Sequence, residues 1–390
     1  MNKVIIFGGD HYNSLGLARV FGVNGIKPDG ILTIYQKNYS RIFAAKSKYW
    51  NRVINVDSEE EGLRKIIEDY SHEKEKPVLV PSSDKAELII DKNKKELEEH
   101  FYVPGFKDER YSVLELMNKY TQAKWAQELG LNIALTWELN LLGDLQDEMR
   151  KVNKYPCILK PVLSSEGKKT DIKKCNDAEE LRRTLRNLES KGYNRILAQE
   201  FLDKEYEMEL FGSILTNEKV IPFFLTKHLR EWPRVGGSVS CHEFIVDKKL
   251  KDKAEEILAK IRDFGYSGNI DIELFKIGDS IYLNEVNFRN SGDVYACFYN
   301  KLYYPFIWYL DTIGKGIKHL NTQYTNRKFA MNETTDFRHV IHRNIKLREW
   351  LKYYRNCGDF AIRFPGDMKP YYALHKYYIK TLFRRKKSEK

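Results

Sequence analysis

The chain has 390 residues, 42% of them hydrophobic and 31% charged, with a formal net charge of +11. That length allows two or three domains, and the composition is neither disordered, collagenous nor disulfide-stapled. No apolar run approaches the ~20 residues of a membrane span, and the start MNKVIIFGGD lacks the pattern of a signal peptide.

The five cysteines are scattered, with no zinc or redox spacing. Reduced thiols and a cytoplasmic location are the expectation. The charge is unevenly placed. From Asn321 onward 17 Lys/Arg stand against 6 Asp/Glu, so the whole +11 sits there and the first 320 residues sum to zero. The expected layout is a neutral globular enzyme with a basic tail.

Residues 4–7 form a short apolar run ending at Gly8-Gly9, which reads as a buried parallel strand turning into a helix over 14–22. Strands are predicted over 31–35, 52–56 and 78–80, and a helix over 59–70 with an acidic first turn. This alternation predicts a doubly wound parallel sheet. The turn after the first strand lacks G-x-G-x-x-G spacing and carries Asp10, which excludes an ordinary dinucleotide site. Ligands of such sheets bind beyond the carboxyl ends of strands, at Gly9, Asp10, His11, Ser82, Ser83 and Asp84. Asp84 and the serines also read as helix caps.

A single helix is predicted over 112–129, opened by a Ser112/Glu115 capping box and stopped by Gly130. By periodicity alone its Lys119 and Lys124 are solvated lysines. Residues 155–161, YPCILKP, predict a strand carrying Lys160. The segment Ser164, Ser165, Glu166, Gly167, Lys168 follows, a small-residue basic loop of the kind that grips phosphates, although no Walker A pattern is present. A helix is predicted over 176–188 and strands over 196–202, 203–211 and 220–226. Glu205, Glu207 and Glu209 share one face of the second of these. Residues 227–240 read as a cationic loop holding Lys227, His228, Arg230, Arg234 and Gly237. By itself that is an ordinary hairpin loop. A helix over 248–264 leads into the most informative stretch.

Residues 268–292, GNIDIELFKIGDSIYLNEVNFRNSG, alternate, break at Gly278-Asp279-Ser280, and alternate again, which predicts a β-hairpin. With a three-residue loop, Glu273 faces Glu285 and Asp271 faces Asn287, and Arg289 continues the same parity. A two-residue turn would put the two glutamates on opposite faces. Opposed carboxylates resist ionisation, and Mg²⁺ relieves them through oxygen ligands shared with water and phosphate. The alternative is a solvated acidic face.

This order of elements resembles the ATP-grasp superfamily over roughly residues 4–311, in particular carboxylate–amine ligases of the D-aspartate ligase and biotin carboxylase kinds. Glu285-x-Asn287-x-Arg289 with Glu273 twelve residues upstream carries most of the resemblance. The resemblance implies an α/β chain. Its first domain is a doubly wound sheet, and an ATP-grasp fold with ATP between two α+β subdomains follows. The expected divisions are 1–108, 109–195, 196–320 and a basic aromatic extension over 321–390.

It also implies roles. Lys119 and Lys160 reach the ATP phosphates, and Ser164, Ser165, Gly167 and Lys168 cover them. Gln199, Glu200, Phe201 and Leu202 hold adenine, and Glu205, with Glu207 second, binds ribose. Glu273, Glu285 and Asn287 ligate Mg²⁺, with Mn²⁺ as the alternative ion. Arg289 and Lys160 act catalytically. Lys227, Arg230, Arg234, Gly237 and Arg289 favour an anionic substrate.

The implied reaction joins a carboxylate to an amine through an acyl phosphate, with an amino acid such as aspartate and a cell-wall or capsule precursor as the expected substrates. An ATP-binding assembly protein without catalysis and a ligase for another small acid are the alternatives. No nucleic-acid motif is present. The tail, with Trp350, Tyr353, Tyr354, Tyr371 and Tyr372 before Arg384-Arg385-Lys386-Lys387, suits an anionic membrane surface or a lipid-linked precursor. It equally suits packing on the enzyme.

Overall fold

The computed structural model describes residues 1–35, 41–107, 110–162, 171–234, 236–325 and 328–388, with side chains to residue 381. Its strands are β1 (Val4–Gly9), β2 (Asp29–Thr33), β3 (Val53–Val56), β4 (Val78–Pro81), β5 (Gly105–Phe106), β6 (Thr136–Asn140), β7 (Cys157–Lys160) and β8 (Lys173–Cys175). They continue as β9 (Arg195–Glu200), β10 (Tyr206–Ile214), β11 (Phe223–Trp232), β12 (Ser238–Phe244), β13 (Tyr266–Ile277), β14 (Ser280–Asn287), β15 (Phe329–Met331) and β16 (Cys357–Phe360). Contacts divide the chain into two compact units: Met1–Glu109 with Glu209–Asp271 and Asn287–Lys390, and Arg110–Met208 with Ile272–Val286.

In the first unit β1–β4 form a parallel sheet of order β3-β2-β1-β4. Alternate residues of its apolar runs enter two different cores. Val4 and Ile6 join helix Tyr12–Val23 on one face, while Ile5 and Phe7 join helices Glu59–Tyr70 and Asp84–Lys92 on the other. A sheet covered on both faces needs such uninterrupted hydrophobic strands, and this is the predicted doubly wound arrangement. The larger sheet runs through β10-β11-β12-β15-β16 within this unit, and β5 pairs with the start of β13.

The segment from 321 is not an appended tail. Its β15 and β16 complete that sheet, and Tyr324, Ala330, Ala361, Ile362 and Leu374 lie in the same core as Val4 and Ile6. Trp350 packs on Phe337 and Tyr354, and Tyr353 on Phe329. Burial of aromatics outweighs the solvation that its charge suggests.

The second unit holds the antiparallel sheet β6-β9-β7-β8. Helix Ala178–Ser190 covers it with Leu181, Leu185 and Leu188, one stripe at helical spacing. The single helix predicted over 112–129 is two, Val113–Leu116 and Lys119–Glu128. The predicted Ser112/Glu115 box caps the first. Asn118 then breaks the run, because its side chain accepts from the Tyr120 and Thr121 amides and starts a new helix. Replacing Asn118 with alanine is expected to cost about 1 kcal/mol. Urea denaturation followed by tryptophan fluorescence checks this, and an unchanged midpoint would contradict it.

Candidate active site

In the second unit the two lysines of the sequence reading meet the acidic hairpin. Lys119 opens its helix at the Asn118 cap, and its Nζ lies 2.6 Å from Glu285 Oε2. Lys160 ends β7 and donates to Gln199 Oε1 at 2.8 Å. Gln199 in turn donates to Thr136 Oγ1 at 3.0 Å. Gln199 pairs with Ile158 across β9 and β7, so it sits diagonally to Lys160 on one face. Burial pushes the Lys160 ammonium down to about 8, Lys119 adds to this, and Glu285 and Glu273 oppose it. Four charged groups therefore converge: Lys119, Lys160, Glu273 and Glu285.

The hairpin reaches this arrangement by a different route from the one predicted. Its turn has two residues, Gly278 and Asp279, because β13 ends at Ile277 and β14 starts at Ser280. Glu273 accordingly accepts from Asn284 Nδ2 at 2.9 Å rather than facing Glu285 directly. Regular pairing would then separate the two glutamates. The alternation slips instead. Ile281, Leu283 and Val286 are buried while Asn284 and Glu285 are both half-buried, so the parity changes between these two.

A residue that sequence reasoning missed holds this strand. Gln122, one turn beyond Lys119, donates to Leu116 O and Val286 O and accepts from the Val286 amide. It fixes β14 one residue past Glu285. Its place on the lysine helix was the available signal.

The hinge positions are engaged locally. Glu200 pairs with Lys154 at 2.6 Å, and the Phe201 ring lies 3.8 Å from Lys174 Nζ. Leu202 O accepts from the Lys204 amide. Glu205 accepts from the Gly278 amide at 2.7 Å, and Glu207 pairs with Lys204. Glu205 precedes β10 and Glu209 is buried, so the three acids expected on one face differ in surroundings. Ser164, Ser165, Gly167 and Lys168 lie outside the described residues.

The first unit holds the remaining residues. Arg289 Nε and Nη1 lie 2.7 Å from Asp84 and 2.7 Å from Asp271 respectively. Burial opposes the guanidinium charge, but these two carboxylates outweigh it and hold it above its usual range. Asn287 ends β14. The cationic loop predicted over 227–240 is mostly strand, since β11 runs to Trp232 and β12 starts at Ser238. Lys227 pairs across it with Glu243. Arg230 is taken up by Asp336 at 2.9 Å and lies 4.4 Å from the Tyr353 ring centre. Arg234 is exposed in the turn. Gly237 is there for space, because a Cβ would lie 2.0 Å from Pro233 O.

At the carboxyl ends of β1, β2 and β4 a cavity of about 290 Å³ is lined by Gly9, Asp10, His11, Tyr35, Arg41 and Ser82 among others. This is the edge the sequence pointed to. Asp10 is turned to structure: it accepts from the amides of Phe43, Ala44 and Ala45.

Residues 124–296 match the family model of the ATP-grasp domain. Among solved structures the chain is similar to N5-carboxyaminoimidazole synthetase from Staphylococcus aureus complexed with ADP. The TM-score is 0.65, with 15% identity, over 90% of this chain and 87% of that one. It is also similar to the L-amino acid ligase from Bacillus licheniformis, with TM-score 0.58 and 14% identity over 82% and 78%. Among curated proteins it is 29% identical over 170 residues to the formate-dependent phosphoribosylglycinamide formyltransferase of Methanocaldococcus jannaschii, covering 42% of each. The chain thus spans less than half the length of that relative. The match to the ATP-grasp domain thus covers residues 124–296, and the fold is mixed α/β like that of these solved structures. Domains of this class use ATP and Mg²⁺.

Proposed function

We propose that this protein is an ATP-dependent carboxylate–amine ligase. The observation that carries the reading is the convergence of Lys119 and Lys160 with Glu273 and Glu285 in one unit. The donor set fits a hard divalent ion, because Glu273 and Glu285 both act on Lys160 and offer carboxylate oxygens. Mg²⁺ there supplies charge neutralisation at the phosphates. Lys119 and Lys160 hold the phosphate oxygens and offset charge as it develops. Gln199 aims Lys160, and Gln122 fixes the strand that presents Glu285. A carboxylate attacks the γ-phosphorus, ADP leaves, and the amine then displaces phosphate from the acyl phosphate to form the amide.

The relatives' names direct the first substrates tried. One names formate and a phosphoribosylglycinamide, and another names L-amino acids. Aspartate and envelope precursors stay in the panel as the finer reading. Arg234 is carried forward for an anionic substrate, because Arg230 and Arg289 are held by aspartates. Among the described residues no helix is long and apolar enough to cross a membrane. Trp350, Tyr353 and Tyr354 pack on the chain itself, which weighs against their part in the membrane-surface reading, while Tyr372 is exposed.

Glu285→Gln tests the proposal. It should leave circular dichroism unchanged and lower ADP release at least ~100-fold. Unchanged turnover in a folded variant would overturn it.

A further inference from the structure

A second convergence of ligating side chains lies within the first unit. Glu209 stands on β10, His242 on β12 and Asp293 in the single-turn 3-10 helix Gly292–Ala296. One donor atom from each lies within 4.8 Å of the other two. All three are deeply buried, with exposures of 8%, 1% and 4%. We infer that Glu209, His242 and Asp293 form a binding site for a borderline divalent cation such as zinc, separate from the Mg²⁺ ligands of the hairpin.

Four observations carry this. Neither ring nitrogen of His242 makes a hydrogen bond, and neither does Asp293 Oδ2. Buried polar atoms rarely go unsatisfied, and here three of them belong to two side chains that face each other. His242 Nδ1 lies 3.4 Å from Asp293 Oδ2. That is the ligand–ligand edge of a tetrahedron with zinc bonds of about 2.0–2.1 Å, roughly 3.3–3.4 Å. Three acceptors gathered around an ammonium would stand farther apart, at roughly 4.5 Å, since each hydrogen bond is about 2.8 Å.

The surroundings orient the ligands. Ser291 Oγ donates to Glu209 Oε1 at 3.1 Å and accepts from the Asp293 amide at 3.0 Å, so one hydroxyl fixes both acids. Phe211 lies nearly parallel to the His242 ring at 6.3 Å, and Tyr295 sits at 6.0 Å. Arg289 is held by Asp84 and Asp271. The ion pairs of Glu209 and Asp293 run to histidines, His228 and His242. An imidazole with two carboxylates is a mixed donor set that suits zinc better than Mg²⁺. It leaves a fourth position open, as in sites where the metal meets a substrate or water.

The test is metal binding without nucleotide. The full chain is stripped with EDTA, dialysed against micromolar Zn²⁺, and its metal content measured by mass spectrometry. About one zinc per chain is expected in the wild type and in Glu285→Gln. His242→Gln and Asp293→Asn should each weaken it by at least about 10–100-fold, with circular dichroism and the urea midpoint reported beside each. Wild-type protein that retains no zinc overturns the inference. So does zinc kept by a folded His242→Gln variant, and so does zinc lost in Glu285→Gln. Thermal stabilisation by ethylammonium without zinc binding would assign the pocket to an amine and also overturn it. None of these readouts depends on ATP turnover, so the ligase reading stands or falls separately.

Discussion

Lys160→Met is expected to lower kcat/KM for ATP by about 10²–10³-fold, as does removal of a preorganised charge from a water-excluded site. The substitution keeps the length and apolar stem of the side chain. It removes the ammonium that Gln199 aims and that faces Glu273 and Glu285. The same lysine predicts the pH profile of the wild type. Its ammonium titrates near 8 because burial and Lys119 disfavour the charged form. The charge proposed to hold the phosphates is therefore present below about pH 8 and lost above it. kcat/KM, which reports the free enzyme, should show an alkaline limb there. In Lys160→Met that limb should vanish along with most of the activity. A limb that persists unchanged in the variant would assign it to another group and remove Lys160 from the phosphate site.

Arg19→Met is expected to cost about 3–5 kcal/mol of stability, through a buried charge left alone. Arg19 and Asp367 are each 1% exposed and lie 3.0 Å apart. The guanidinium also donates to Ile362 O and Asp367 O at 2.9 and 3.0 Å and lies 5.0 Å from the Phe364 ring centre. Asp367 further accepts from Ser47 Oγ and the Lys48 amide. The pair ties the first helix of the chain to a segment near its end. Methionine would strand the aspartate among those remaining donors. A second change, Asp367→Leu, should recover part of the loss, because the uncompensated charge goes with it. Urea denaturation of the three variants checks this. A loss under about 0.5 kcal/mol in Arg19→Met, the range of an ordinary surface change, would contradict the structural role given to the C-terminal segment.

The local part of the architecture was legible. Continuous apolar runs at β1, β2 and β4 report a two-sided burial that a parallel sheet imposes. The predicted helix over 59–70 coincides with Glu59–Tyr70, where Ser58 caps an acidic first turn. The lysines and glutamates of the site were legible as residue types in order, but not their route to each other. A period of two cannot reveal the slip at Asn284–Glu285, which offsets the shorter turn. The break at Asn118 was hidden because asparagine within an apolar period reads as interior until its cap is seen. The segment over 227–240 looked like a loop because its charges are satisfied from afar, Arg230 by Asp336. The tail looked detached because its core partners, Val4 and Ile6, lie at the other end of the chain. Glu209, His242 and Asp293 carry no spacing signal, since separate elements bring them together.

The most direct test of the central claim follows oxygen. The carboxylate that supports ADP release in the substrate panel is supplied with ¹⁸O in its carboxyl group, together with its amine and Mg-ATP. If the carboxylate attacks the γ-phosphorus, the released phosphate carries one ¹⁸O per turnover, and the amide keeps the other. Phosphate free of label, released at the same rate as ADP, would mean that water receives the phosphoryl group. That result would contradict the acyl-phosphate ligase.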